Sequence, residues 1–222
     1  MKKLEIACFT IASIKIALEN GANRIELCNQ MEVGGTTPSH EMVTEAAKYD
    51  LLKYAMIRPR GGNFVYSTEE FESMKKSLLD LKEQAIDGFV FGLLTEDFQV
   101  DISKNKELIQ LAHPLPCTFH RAFDQVIEVK QALEDCITCG FQNILTSGLK
   151  QTAIEGKEIL QALIQQANNR ITIMPGGGIR SSNIEELDRF VQANWYHSAA
   201  ITDGSNTANA EEIQNLKQKL HA

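Results

Sequence analysis

The sequence predicts a (β/α)8 TIM barrel in the α/β class that forms a single domain over residues 1–222. Two observations support this prediction. Short apolar runs rich in Ile, Val, Phe and Tyr alternate with longer segments whose apolar residues recur with a period near 3.6. The chain is also long enough for one compact barrel and contains no segment that resembles a linker between domains. The rival architecture, an open doubly wound sheet, normally has fewer strands.

The apolar runs predict strands at 4–9, 24–28, 53–59, 88–94, 117–123, 143–147, 171–175 and 195–200. The clearest helical patterns lie between and after them, at 68–86, 126–139, 152–167, 183–194 and 210–220. Gly21 and Gly140 stand where helices are expected to end, because glycine readily adopts the left-handed conformation of a helix C-terminus. This succession of strands and helices is typical of repeated βα units.

Charge and cysteine content narrow the class of protein. The 22 basic and 29 acidic residues give a net charge of −7, which disfavours binding to nucleic acid or to an anionic membrane surface. No apolar run approaches the roughly 18–20 residues of a transmembrane helix, and the first residues lack the apolar core of a signal peptide. The five cysteines have no regular spacing, so we expect reduced thiols in a cytoplasmic protein.

Alternation along the strands assigns a direction to polar side chains. Ile25 and Leu27 are expected to face the helices, which turns Glu26 and Cys28 into the barrel. Arg58 is expected to point inward from the next strand, where it could pair with Glu26, because an unpaired buried charge is costly. The inward polar set predicted in this way comprises Glu26, Cys28, Arg58, His120 and His197.

This polar interior favours an enzyme that performs acid/base chemistry on a small anionic or phosphorylated metabolite. His120 is the candidate general acid or base, because imidazole titrates near neutral pH, and the carboxylates of Glu26 and Asp124 are its candidate partners. Strand ends carry the candidate substrate-binding residues Arg58, Arg60, Arg121, Thr146, Ser147, Gly176, Gly177, Gly178 and His197. The three glycines would let backbone N–H groups approach an anion. A satisfied ion pair and a tight turn would explain the same residues without a function.

Six phrases at the strand ends resemble the CutC family of copper homeostasis proteins over about residues 4–200. They occur in one order and at matching spacing, at 21–28, 34–39, 56–62, 118–124, 144–148 and 175–179. The resemblance implies a TIM barrel, a cytoplasmic location, a homodimer or homotetramer, and copper handling through bound Cu(I). It also implies Cys8 and Cys28, which end the first two strands, as candidate copper ligands. Asn63 and Asn143 depart from the family pattern, in which aspartate and arginine are more frequent.

Two functions therefore stand side by side. Binding of Cu(I) suits soft thiolates, although strand alternation places Cys28 inward and Cys8 on the side of Leu4 and Ile6. An anion-binding enzyme site accounts better for the polar interior. A scaffold that acts through its surface is a third reading, because a fold does not determine a function.

Overall fold

The computed structural model describes residues 2–220. The strands are β1 (Lys3–Cys8), β2 (Arg24–Leu27), β3 (Leu52–Met56), β4 (Gly88–Phe91), β5 (Cys117–Phe119), β6 (Asn143–Thr146), β7 (Thr172–Pro175) and β8 (Trp195–Ser198). The helices are α1 (Ile11–Glu19), α2 (His40–Ala46), α3 (Thr68–Lys82), α4 (Ile102–Ala112), α5 (Val129–Cys139), α6 (Lys157–Ala167), α7 (Ile184–Val191) and α8 (Ala210–Leu220). Short 3-10 helices at Met31–Val33 and Arg121–Gln125 follow β2 and β5.

All eight strands are parallel and lie in the order β8, β1, β2, β3, β4, β5, β6, β7. Within residues 2–220 no strand ladder joins β7 to β8, so the barrel is nearly closed and has a seam between these two strands. The predicted (β/α)8 barrel is confirmed. None of the helices in the same residue range has both the length and the apolar character needed to cross a lipid bilayer.

The apolar residues form two layers, as the alternation predicts. The larger layer packs between strands and helices and includes Ile25 and Leu27. The smaller one fills the barrel interior with Cys28, Tyr54, Met56 and Val90. All five cysteines are buried as free thiols. The prediction that Ile25 and Leu27 face the helices while Cys28 faces the interior is therefore confirmed.

Three strands end three or four residues before the boundaries that the apolar runs predict: β3 at Met56, β4 at Phe91 and β5 at Phe119. After β5 the chain curls at once into a 3-10 turn, in which Nδ1 of His120 accepts the backbone N–H of Ala122 at 3.3 Å. Arg58 and His120 consequently lie just beyond their strands, at the C-terminal mouth of the barrel.

Candidate active site

Four charged side chains meet inside the barrel where β8, β1 and β2 run side by side. We call Glu5, Arg24, Glu26 and His197 the inner charge cluster. Oε1 of Glu5 lies 2.8 Å from Nδ1 of His197, and Nε of Arg24 donates to Oε2 of Glu5. Oε2 of Glu26 lies 3.7 Å from Nε2 of His197. Glu5, Arg24 and Glu26 are all buried, so these contacts replace the hydration that the charges lose.

Two aromatic rings, a carboxylate and a thioether sulfur contact the guanidinium of Arg24. Its guanidinium carbon lies 4.0 Å from the ring centre of Tyr54 and 4.3 Å from that of Trp195. One of its terminal nitrogens also reaches Sδ of Met174 at 3.6 Å. The aromatic faces stabilise the cation, and the cation in turn keeps Glu5 ionised beneath His197.

The two glutamates of the cluster have opposite pKa shifts. Burial alone would raise the pKa of Glu5, but the charges and hydrogen bonds of Arg24 and His197 outweigh it and lower the pKa to about 2. Burial raises the pKa of Glu26 to about 7, and the negative charge of Glu5 adds to this rise while His197 opposes it. Burial lowers the pKa of His197, yet its hydrogen bond to Glu5 and the charge of Glu26 raise it overall. Glu26 and His197 therefore compete for a proton near neutral pH.

A cavity of about 200 Å³ opens above the cluster at the mouth of the barrel. Its lining residues are Ala7, Phe9, Glu26, Gly34, Met56, Arg121, Leu145, Gly177, Gly178, Ile179, Arg180, His197, Ser198 and Ala199. Oε1 of Glu26 is buried and has no hydrogen-bond partner within residues 2–220. Because Nδ1 of His197 faces Glu5, its Nε2 is the nitrogen available beside Glu26. The lining of the cavity thus places a carboxylate next to an imidazole, a pair suited to proton transfer.

The lining residues that follow β5 and β7 offer positive charge and backbone donors. Gly177 and Gly178 have φ values of +99° and +70°, a conformation that favours glycine. Neither N–H of these two residues donates a hydrogen bond in the part of the chain described. A Cβ atom on Gly177 would lie 3.3 Å from Cζ of Arg121, and Arg180 also lines the cavity. This combination is suited to an anion.

A network of hydrogen bonds holds Arg121 at the rim. Nε of Arg121 donates to Asp124 at 2.7 Å, and Nη2 donates to Oγ of Ser147 at 2.9 Å. Asp124 also accepts the hydroxyl of Thr146 at 2.5 Å and the backbone N–H of Ser147 at 2.9 Å. The structure thus brings Asp124, Thr146 and Ser147 together as the support of Arg121. Gly176 lies beside the seam, where an added Cβ would be 3.3 Å from Cβ of His197.

His120 does not line this cavity. Its ring is buried, and its centre lies 4.8 Å from that of Phe64. Burial and the nearby charge of Arg58 lower the pKa of His120 to about 3, so the imidazole is neutral over the physiological range. The histidine that lines the cavity beside Glu26 is His197, so Glu26 and His197 form the carboxylate–imidazole pair.

The expected pairing of Glu26 with Arg58 is wrong. The guanidinium of Arg58 donates to the carbonyls of Val33 and Gly35, both at 2.8 Å, and to that of Gly62 at 3.0 Å. These carbonyls satisfy Arg58 within its own loops, so Glu26 faces His197. Arg60 lies farther out, where it pairs with Glu70 at 2.5 Å and bonds to backbone carbonyls.

The backbones of Cys8 and Cys28 are hydrogen-bonded to each other, but their side chains pack in different layers of the barrel. The N–H of Cys28 donates to the carbonyl of Cys8 at 3.0 Å. Cys8 packs in the helix-facing layer and Cys28 in the interior layer. Burial raises the pKa of both thiols, and Glu26 raises them further. The donor type suits Cu(I), whereas the two side chains belong to opposite faces of the sheet.

No larger ligand set accompanies these thiols. In the part of the chain that the structure describes, no group of three or more His, Cys, Asp or Glu side chains is arranged to hold a metal ion. Any copper bound at Cys8 and Cys28 would therefore depend on these two thiols.

Sequence reasoning missed Glu5 and Arg24. The signal was present, because Leu4 and Ile6 belong to the helix-facing layer and alternation turns Glu5 inward. The same rule turns Arg24 inward, two residues before Glu26. Both residues lie deeper in the barrel than the strand ends, at which functional side chains of such barrels are expected.

Comparison with known proteins identifies the family. A sequence model of the CutC family matches residues 2–202. A CutC family protein of Vibrio vulnificus strain CMCP6 is 45% identical over 188 residues, which cover 83% of this chain and 75% of that protein. The copper homeostasis protein cutC homolog of Homo sapiens is 42% identical over 200 residues, which cover 89% of this chain and 72% of that protein.

Solved structures agree with this assignment. A CutC structure from Streptococcus agalactiae superposes with a TM-score of 0.86 at 33% identity and covers 91% of this chain and 100% of that chain. Thiamine phosphate pyrophosphorylase from Pyrococcus furiosus superposes with a TM-score of 0.66 at 16% identity, covering 99% of this chain and 95% of its own, which is a likeness of fold alone. On the family match and the identities to its relatives, this chain belongs to the CutC family.

Proposed function

We propose that this protein acts in copper homeostasis and that the mouth of its barrel is the working site. The support for the process is the family, since the human and mouse relatives, both 42% identical to this chain, are named as copper homeostasis protein homologs. These names describe a cellular process and specify no chemical reaction.

The chemistry that the geometry supports best is general acid/base catalysis on a small anionic or phosphorylated metabolite. The observation that carries this proposal is the contact of Glu26 with His197 in the lining of the cavity, where Oε2 of the carboxylate lies 3.7 Å from Nε2 of the imidazole. Glu26 would act as the base and His197 as the acid. The backbone N–H groups of Gly177 and Gly178, together with Arg121, would bind the anion.

Titration with inorganic phosphate tests the anion site. Isothermal titration calorimetry on the wild type is expected to show binding that Arg121→Ala weakens by about tenfold or more, because a charge-assisted contact is lost. Arg60→Ala is the matched control, since Arg60 is engaged by Glu70 outside the cavity. Equal binding by wild type and Arg121→Ala would contradict the proposed site.

Binding of Cu(I) by Cys8 and Cys28 is the second candidate function. The hydrogen bond between the backbones of these residues favours it, because it places two thiol-bearing residues at adjacent strand ends. A change of side-chain direction at Cys8 would be needed to bring both sulfurs to one ion. Because both thiols have raised pKa values and must lose a proton to bind the metal, we expect the affinity to increase with pH.

Anaerobic titration with buffered Cu(I) tests this candidate. Binding of one ion per chain that is lost in a variant carrying Cys8→Ser and Cys28→Ser would support it. Cys139→Ser is the matched control, because Cys139 packs between helices. Unchanged binding in the double variant would exclude the pair as the copper site.

We also propose a cytoplasmic location and a homodimer or homotetramer, both implied by the family resemblance. The net charge of −7 supports the expectation that neither nucleic acid nor a membrane is a partner. Light scattering coupled to size exclusion would report the oligomeric state, and a monomer at micromolar concentration would contradict the expected assembly.

A further inference from the structure

We propose that the cavity catalyses a proton transfer between adjacent carbons of a short phosphorylated α-hydroxycarbonyl compound, interconverting an aldehyde and a ketone. This inference rests on the proposed acid/base site and names its substrate class and reaction. Three features of the cavity carry it: the pairing of base and acid, the lack of lysine, cysteine and threonine among the described lining residues, and the position of the anion-binding groups.

The base and the acid are distinct and fixed in orientation. Glu26 and His197 both line the cavity, and Oε2 of Glu26 lies 3.7 Å from Nε2 of His197, while Oε1 is buried. Glu5 engages Nδ1 of His197 at 2.8 Å, so the imidazole is oriented with Nε2 toward Glu26 and the cavity. A carboxylate that takes a proton from carbon and an imidazole that polarises the neighbouring carbonyl are the two groups that enolisation requires.

The lining favours chemistry at carbon over covalent catalysis by a side chain. Among the described residues that line the cavity there is no lysine, cysteine or threonine. The one serine, Ser198, donates its hydroxyl to the carbonyl of Ile179 at 2.8 Å and accepts the N–H of Ala200 at 3.0 Å. The same cavity has apolar walls formed by Ala7, Phe9, Met56 and Leu145.

The size of the cavity and its rim define the substrate. A volume of about 200 Å³ is well above the ~10–15 Å³ that one bound water needs, so the cavity is large enough for a small organic phosphate. The phosphate would lie against Gly177, Gly178 and Arg121 on the β7 side. The carbonyl end would then extend toward Glu26 and His197 below.

The reaction balances without an oxidant or a further reactant. Glu26 takes the proton from the carbon next to the carbonyl, and the electron pair of that C–H bond forms the carbon–carbon double bond of an enediol. The carbonyl oxygen receives a proton from Nε2 of His197. Glu26 then returns its proton to the former carbonyl carbon, while the hydroxyl on the other carbon gives its proton back to His197 as the new carbonyl forms.

Deuterium exchange tests this inference directly. The full-length protein is incubated in D2O with dihydroxyacetone phosphate, and separately with ribose 5-phosphate and ribulose 5-phosphate, while proton NMR follows the loss of the signal at the carbon next to the carbonyl. We expect exchange with at least one of these probes. Glu26→Gln should slow it by about 100-fold or more. Glu134→Gln, on the exposed face of α5, is the control purified in the same way and should exchange like the wild type.

The outcomes separate the inference from the function on which it rests. Exchange that persists in Glu26→Gln, or no exchange with any probe while inorganic phosphate still binds at Arg121, would overturn the inference and leave the anion site in place. Failure of both exchange and phosphate binding would overturn both. His197→Gln is the second variant if Glu26→Gln does not fold, and its exchange should fall by a similar factor.

Discussion

Two sides of the barrel mouth carry buried polar residues, and they differ in what those residues face. On the β8, β1 and β2 side, the inner charge cluster lies under an open cavity, which Glu26 and His197 line. On the β3 and β5 side, Arg58 and His120 are covered by Phe64, whose ring centre lies 4.8 Å from each of them. The sequence predicts inward-facing polar residues on both sides and does not distinguish between them.

The comparison teaches that burial of a polar group is less informative than its neighbours. His197 is surrounded by two carboxylates, which raise its pKa against the effect of burial. His120 is surrounded by apolar rings and one cation, so burial and Arg58 both lower its pKa. Opposite environments thus assign different protonation states to two histidines of one barrel.

The largest difference between the two sides is expected when each histidine is replaced by glutamine and the rates of proton transfer are compared. His197→Gln is expected to slow proton transfer by about 100- to 10,000-fold, because it removes the acid beside Glu26. His120→Gln is expected to stay within about tenfold of the wild type, since the neutral ring does not line the cavity. The deuterium-exchange rate measures both, and a larger loss in His120→Gln would reverse the assignment.

Stability is the second test, because only one side depends on a buried ion pair. Glu5→Gln leaves Arg24 without its carboxylate and is expected to lower the free energy of unfolding by about 3–5 kcal/mol. Urea denaturation measures the change. Glu134→Gln removes a solvent-exposed partner of Arg170 and serves as the control, with little change expected. A small effect of Glu5→Gln would show that the cluster is not held by this pair.

The pH dependence of stability sharpens the contrast between the two glutamates. Because the pKa of Glu26 is raised from 4.5 to about 7, the folded protein holds a proton there that the unfolded chain releases. The free energy of unfolding should therefore fall as the pH rises above 4.5. Glu5, whose pKa is lowered to about 2, contributes stability above pH 4.5 that is lost as the pH falls toward 2.

Urea midpoints of wild type and Glu26→Gln measured between pH 2 and 6.5 separate these effects. Staying below the ordinary pKa of 6.5 limits the contribution of His197, whose raised pKa adds its own loss of stability at higher pH. Glu26→Gln should remove the fall above pH 4.5 and keep the loss in acid. Parallel profiles for the two proteins from pH 4.5 to 6.5 would contradict the raised pKa of Glu26.

The smallest expected effect concerns the rim of the cavity. Gly177→Ala forces a side chain into a left-handed conformation, 3.1 Å from Cβ of Ser147, and should cost roughly 1 kcal/mol of stability. Phosphate binding should weaken by several-fold, as seen by calorimetry. Gly204→Ala meets no atom within 4 Å and is the matched control. Normal phosphate affinity in Gly177→Ala would show that the loop at Gly177 does not bind the anion.

Much of the fold follows from local pattern. Alternation of apolar runs predicts every strand, and alternation within a strand assigns Glu26, Cys28 and His197 to the interior. The ends of β3 and β5 could not be predicted in this way, because they depend on the turn that Ala122 closes with His120 and on the covering loop.

The candidate site was predictable only in part. Glu26, His197, Arg121 and the glycines were found because they stand at strand ends, where barrel sites lie. Which of His120 and His197 pairs with a carboxylate could not be predicted, because the answer depends on contacts with Phe64 and Glu5, which are distant in the sequence. Contacts across the barrel decide which imidazole is paired with a carboxylate.

The central claim is that His197 and Glu26, rather than His120, form the proton-handling pair. Titration of the five histidine rings by NMR, with His197→Gln and His120→Gln used to assign the signals, tests it most directly. We predict that His197 titrates above the ordinary value of 6.5 and that His120, with a pKa of about 3, stays neutral from pH 5 to 8. A His120 ring that titrates near 6.5 beside a His197 ring whose pKa is not raised would contradict the account.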